Sequence, residues 1–251
     1  CVNRPNDIAS QLRILSHENV INLGYKANGP LSMLATLKEY MPKNTKNVLW
    51  LYFEGNDLND LESELNNEIL TKYLSDINFS QNLKKKQKII DLLNKEIIFK
   101  SIELEDRIID QATRNAKLKN KLLKLIRLNE TKKIFSLQTI RHKNNELPIK
   151  EFKNIIKNAK NYVENNNSIL HFVYLPQFER YNNQVLNSNY NQIKQIVEEL
   201  NVNFIDIHKG VFLKQKDPLE LFPFKMWGHY NENGYKKVSK YIYENLKQYG
   251  D

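Results

Sequence analysis

One cysteine in 251 residues, Cys1, leaves no internal disulfide framework and no multi-cysteine metal site. A chain without disulfides folds on either side of a membrane, so cysteine usage does not fix a compartment. No apolar run approaches the ~20 residues that span a bilayer. No signal peptide is visible. Because the first residue is Cys1 rather than methionine, the native amino terminus is expected upstream, and missing address signals carry no weight. Internal repeats and low-complexity linkers are absent too, which keeps the expectation at one domain with an insertion.

What is present can fold. Hydrophobic residues make up 41% of the chain, enough for a sizeable core, so wholesale disorder is not expected. The formal charge is +9. A basic surface suits nucleic acid, an anionic glycan or an anionic membrane face. The lysines, however, are interleaved with leucines, as in Lys117–Lys124, which reads as the solvated face of amphipathic helices. No nucleic-acid partner is expected from this pattern. Membrane association stays open, because the segment that would carry an anchor is expected upstream.

Short apolar runs alternate with helical patterns, the signature of a parallel α/β sheet. Helices are expected over Asp7–Leu15, from Pro30, over Leu147–Val163, over Tyr190–Leu200 and over Glu232–Leu246. Strands are expected at Asn19–Leu23, Asn47–Phe53, Ser168–Leu175 and Val202–Ile207. Asn47–Phe53 is a continuous apolar run of the kind buried on both faces. Between about 61 and 135 apolar residues recur at helical spacing with dense charge, which predicts a helical insertion burying Ile89, Leu93, Ile97 and Ile108.

Ligands in open α/β sheets collect at the carboxyl ends of strands. Three unusual segments are expected there: Asn22–Pro30, Glu54-Gly-Asn-Asp57 and Gly228–Tyr235. Each also has a plain structural explanation. Gly24, Gly29 and Pro30 can shape a turn, Asn56 and Asp57 can cap a helix, and His229 can bond to backbone. Taken in order, the three resemble the SGNH (GDSL-like) hydrolase family. Gly55-Asn-Asp57 looks like that family's asparagine block, one residue shorter; His229 with Asn231 and Gly234 looks like its histidine block; Asn22–Pro30 looks like its glycine block.

The resemblance implies a flavodoxin-like parallel sheet with helices on both faces and a Ser-His(-Asp) acyl-enzyme acting on carbohydrate or lipid esters, without cofactor or metal. The product is a free acid or a transferred acyl group, since water and an alcohol attack the same intermediate. It also implies roles. Asn56 supplies an oxyanion donor and His229 the general base. Ala27 stands at the family's glycine and supplies a backbone N–H if its φ is negative; Gly29 is the alternative. Asp217 is the nearest aspartate upstream, Met226 standing where the family often has aspartate. A Ser-His dyad with a backbone carbonyl on the imidazole is also workable.

No Gly-Asp-Ser occurs in the chain. The nucleophile is therefore expected just upstream of Cys1, at the end of a first strand that in the order 2-1-3-4-5 lies between Asn19–Leu23 and Asn47–Phe53. Those two would then flank a gap of about 9.6 Å. Cys1 itself, with no base beside it in sequence, is not expected to be a nucleophile. His17, His142, His171 and His208 are read as structural. The runner-up function is a non-catalytic module of the same fold binding an anionic glycan or a protein. A nucleotide-binding flavodoxin-like domain ranks last, because Asn28-Gly-Pro30 lacks the spacing of a phosphate cradle.

Overall fold

The computed structural model describes residues 2–113, 147–182 and 189–248, and the side chains of these except for 101–113. The chain divides into two compact units. One is an α/β unit of residues 1–81 and 147–251, and the other comprises residues 82–146.

In the α/β unit, helices α1 (Ile8–Ser16) and α2 (Pro30–Tyr40) precede strand β1 (Asn47–Phe53). Helices α3 (Asp57–Glu64) and α4 (Glu68–Ser75) follow. The second unit contributes α5 (Gln87–Thr113). The chain then forms α6 (Ile149–Glu164), β2 (Ile169–Leu175), α7 (Tyr190–Glu199), β3 (Asn203–Asp206), the short α8 (Ile207–Gly210) and α9 (Glu232–Lys247). The strands form one parallel sheet in the order β1-β2-β3, with Asn47 opposite Ile169 and His171 opposite Asn203.

Side chains alternate across the strands and divide the interior in two. Trp50, Tyr52, Leu170, Phe172 and Tyr174 meet Leu31 and Leu34 of α2, Leu61 of α3, Ile155 and Ile156 of α6 and Ile193 of α7. Val173 and Ile205 face the other way, onto Ile8 and Leu12 of α1 and Val238 and Ile242 of α9. Helices thus cover both faces of the sheet. Pro30 opens α2 as a first-turn proline can, and Leu31, Leu34 and Leu37 form its buried face.

Two expectations about strands are corrected. Asn19–Leu23 is not a strand and pairs with no strand, β1 included. Its backbone is held locally: Arg13 Nε donates to Val20 O at 2.7 Å, and Gly24 N donates to Asn22 Oδ1 at 2.9 Å, while Ile21 stays exposed. β-branched residues favour extended backbone, but a strand needs a hydrogen-bonded neighbour, and composition cannot supply one. Nor is β1 buried on both faces. Trp50 and Tyr52 are buried, whereas Leu49 and Leu51 are only partly covered. Among the described residues β1 has a strand on one side only, and β2 is the central strand.

The insertion is also smaller than expected. α3 and α4 belong to the α/β unit, where Leu61 and Tyr73 are fully buried. In α5 the residues Ile89, Leu93 and Ile97 are exposed rather than buried, and Ile108 lies outside the described side chains. An apolar stripe gives a helix a face without saying whether anything packs on it. The division has an electrostatic consequence. Residues 82–146 hold 17 Lys and Arg against 8 Asp and Glu, so they carry the whole excess of +9. The α/β unit holds 21 of each and is neutral.

His171, fully buried on β2, is bonded on both sides. Its Nε2 lies 2.8 Å from Asn47 Oδ1, and its Nδ1 lies 2.9 Å from Asn203 Nδ2. A carbonyl oxygen on one side and an amide N–H on the other suit only the neutral ring protonated at Nε2. Burial lowers its pKa from 6.5 to about 4. The unfolded chain therefore takes up a proton as pH falls through 6.5, which the folded protein refuses until about 4. The stability present above pH 6.5 should fall by roughly 3 kcal/mol across that window. Urea denaturation followed by tryptophan fluorescence should show this slope, and His171→Gln, which keeps a donor and an acceptor, should remove that part of it. An unchanged slope in the variant would refute the assignment.

Candidate functional site

The turn after β1 is built from acidic side chains with separate tasks. Asp57 is buried, and its Oδ2 accepts the Phe53 N–H at 3.0 Å, folding the chain from strand into helix. Burial pushes its carboxyl well above the usual range, and Asp60 and Glu64 add to the shift. Asp60 Oδ2 accepts from Asn56 Nδ2 at 2.6 Å. Glu64, one helix length away, turns back to the start of α2. Its Oε1 accepts from Gly29 N at 2.8 Å and Ser32 N at 3.3 Å, and its Oε2 accepts from Leu31 N at 2.9 Å. These are amides that α2 cannot satisfy internally, and a carboxylate there also meets the positive end of the helix dipole.

This arrangement bears on both candidate backbone donors, Gly29 and Ala27. The Gly29 N–H is already bonded to Glu64 and so is not free for a ligand. Gly29 is required for another reason. A Cβ there would lie 2.7 Å from Glu64 Oε2 and 2.8 Å from Asp60 Cβ. Ala27 is exposed in the preceding turn with φ of 62°, so the condition of a negative φ attached to it fails. A left-handed φ is unfavourable for alanine and suits glycine.

Asn56 is exposed at the N-cap position of α3 but makes no side-chain capping bond. One amide N–H goes to Asp60, and the other has no partner among the described residues. His229 lies at the same edge of the sheet. Its ring centroid is 6.1 Å from that of Phe53, the last residue of β1 and three positions before Asn56. The backbone around His229 is firmly anchored. Tyr230 OH donates to Pro176 O, just past β2, at 2.6 Å. Asn231 caps α9 by accepting from Gly234 N at 2.9 Å, and its amide donates to Glu220 O at 2.8 Å. The His229 ring has no hydrogen-bond partner among the described residues, and partial burial lowers its pKa.

Asp217 is not the acid of a triad. Its Oδ1 accepts from Leu219 N at 2.9 Å, capping the 3-10 turn Pro218–Leu221, and its Oδ2 pairs with Lys225 Nζ at 2.7 Å. The expected loop from residue 218 to residue 228 does fold outward, but it brings Lys225 rather than His229 to the carboxylate.

A cluster that sequence reasoning missed joins the carboxyl ends of the strands. Glu54 forms a buried ion pair with Arg180, whose Nε donates at 2.9 Å, and Glu54 Oε2 also accepts from Gln177 N at 3.1 Å. Burial alone would raise the Glu54 pKa, but the hydrogen bonds and charge of Arg180 hold it below the ordinary value. The guanidinium stands 5.3 Å from the Tyr190 ring, and the Tyr190 hydroxyl bonds Asp206 at the end of β3. Tyr181 OH lies 2.8 Å from His208 Nδ1. An acidic residue directly after a buried strand was the available signal that a cation must reach it.

Among the described residues no group of three His, Cys, Asp or Glu side chains is placed to hold a metal. A cavity of about 300 Å³ is lined by Lys38, Tyr73, Asn78, Asn158 and Tyr162. It involves none of the candidate residues.

Two substitutions test this construction by thermal or urea denaturation. Ala27→Gly should stabilise the α/β unit by about 0.5–1 kcal/mol by relieving the left-handed alanine. Glu64→Ala should cost about 2 kcal/mol by leaving the α2 amides without their acceptor. A destabilised Ala27→Gly variant would contradict the turn geometry.

Among known proteins, no family model, no curated protein and no solved structure matches the chain.

Proposed function

We propose that the chain is the larger part of an SGNH-type serine ester hydrolase or O-acyltransferase, with a flavodoxin-like sheet and a nucleophilic serine upstream of Cys1. The observation that carries this reading is the meeting of two separate segments at the carboxyl edge of β1, where the His229 ring lies beside Phe53 three residues before Asn56. Ala27, with φ of 62°, does not meet the condition of a negative φ on which its role as a donor rested, so Asn56 is the oxyanion donor assigned here.

In this reading His229 takes the serine proton and later returns it to the leaving alcohol. The free N–H of the Asn56 amide stabilises the oxyanion as negative charge develops on the former carbonyl oxygen. No acid orients the imidazole through Asp217, so the assignment is a Ser-His dyad. Ester-bearing carbohydrate or lipid is the substrate class, and no cofactor is required. A second reading, a non-catalytic binding module, is favoured by the absence, among the described residues, of a hydrogen-bond partner on His229 and by the tie between Asn56 and Asp60.

The protein extended upstream through the expected Gly-Asp-Ser, assayed with p-nitrophenyl esters, separates the two. His229→Ala should lower kcat/KM by about 10²–10⁴-fold and Asn56→Ala by about 10²–10³-fold. Asp217→Ala should change it by less than about twofold, because a carboxylate bonded elsewhere contributes nothing to the imidazole. Burial lowers the His229 pKa, so the acid limb of the pH profile should lie below 6.5, with activity full above it and lost as pH falls through it. Hydrolysis unaffected by His229→Ala would overturn the proposal, and absence of both an upstream serine and esterase activity would leave the binding module.

A further inference from the structure

The segment before His229 exposes large apolar side chains in close succession. Phe224 is 92% exposed, Met226 64% and Trp227 68%. Isolated exposed hydrophobics are ordinary, but three within four residues at the tip of one loop are not. Nor is the loop loose. It leaves the core at Leu221 and Phe222 and returns at Tyr230, all buried. Lys225 Nζ bonds Asp217 at 2.7 Å, Met226 N bonds Pro223 O at 2.9 Å, and Asn231 Nδ2 holds Glu220 O and Phe222 O.

Phe224 and Lys225 both have left-handed backbone, with φ of 53° and 54°, and Gly228 has φ of 152°. Two successive non-glycine residues in that region are unfavourable and persist only where the surroundings enforce them. The fold thus holds the chain in a strained turn that points a phenylalanine and a tryptophan into solvent.

We propose that the loop Pro223–Trp227 inserts into the interfacial region of a phospholipid bilayer. A protein partner fits the dimensions poorly. Three side chains of about 150–250 Å² each offer some 600 Å², below the roughly 800 Å² per partner of a stable interface. A short tip bearing tryptophan and phenylalanine suits the headgroup boundary, where aromatic rings concentrate and apolar groups enter by about 5–10 Å. The unit that carries the loop is neutral, with 21 basic and 21 acidic residues, so its insertion is driven by apolar contact rather than by charge. Lys225 does not alter this, because Asp217 and Glu220 both pair with it. This inference is independent of the hydrolase reading, since it requires no chemistry at His229.

The two tryptophans make a direct test, because Trp50 is 2% exposed and only Trp227 meets solvent. Titration of the 251-residue protein with phosphatidylcholine vesicles containing phosphatidylglycerol should shift the emission to the blue by about ten nanometres. At saturating lipid the shift should persist in high salt, which would remove a purely electrostatic contact. Phe224→Ser/Met226→Ser retains the reporter and should weaken partitioning at least tenfold, with unchanged circular dichroism as the control for folding. No blue shift, a shift abolished by salt, or a shift unaffected by the double substitution would overturn the proposal. So would a shift that appears without lipid as protein concentration rises, with sedimentation showing a dimer, because the loop would then be a contact between copies.

Discussion

Four of the five carboxylates in the eleven residues after β1 hold the candidate region together, and each is assigned to a different stretch of backbone or side chain. Asp57 secures the strand it follows, Glu54 reaches across to the loop after β2, Asp60 holds the Asn56 amide, and Glu64 caps α2. Burial raises the pKa values of Asp57 and Asp60, and repulsion among so many acids close together adds to the shift. The cluster is tolerable because Arg180 supplies a fixed cation to Glu54 and because three helix amides face Glu64. The glycine turn, the asparagine turn and the strand end are thereby tied to one another through α3 and the residues before it.

The sheet itself rests on less obvious polarity. Its central strand carries a buried histidine between two asparagines, one from each neighbouring strand. A histidine in an apolar strand costs free energy unless both ring nitrogens are satisfied. Here the pairing also marks alignment, since a shift of one residue along either strand would turn an asparagine to the opposite face. The aromatic side chains Tyr52, Phe172 and Phe204 stack on one another across the same three strands. Polar satisfaction and ring packing therefore reinforce one alignment of β1, β2 and β3.

Much of the scaffold was legible in the sequence. Asn47–Phe53 announces itself as a continuous apolar run, and the helix with Val238 and Ile242 inward by the 3.6-residue period that burial of one face imposes. What failed depends on partners. Asn19–Leu23 has strand composition but no neighbour to bond. The helical pattern runs unbroken from Leu61 into α5, although Leu61 is packed and Ile89 is exposed, so period alone could not locate the unit boundary. For the site, local motifs placed Asn56 and His229 at one sheet edge, while pairings over distance stayed hidden. Glu64 with Gly29 is separated by 35 residues and Glu54 with Arg180 by 126.

Asp217 shows why proximity in sequence misled. The expectation took the nearest aspartate upstream of His229 and asked whether the intervening loop could bulge outward. It does, but an outward loop needs its own anchor, and an exposed lysine at its tip is a better partner for a carboxylate than an imidazole whose pKa is depressed by burial. With Asp217 committed to Lys225, the same eleven residues that would have carried a catalytic relay instead form a braced projection. The brace fixes a strained turn whose aromatic tip leads directly, through Gly228, into the histidine. Whatever meets Phe224 and Trp227 is thus brought to the edge of the sheet where His229 and Asn56 stand, and the contact that takes Asp217 away from His229 is the one that presents the loop.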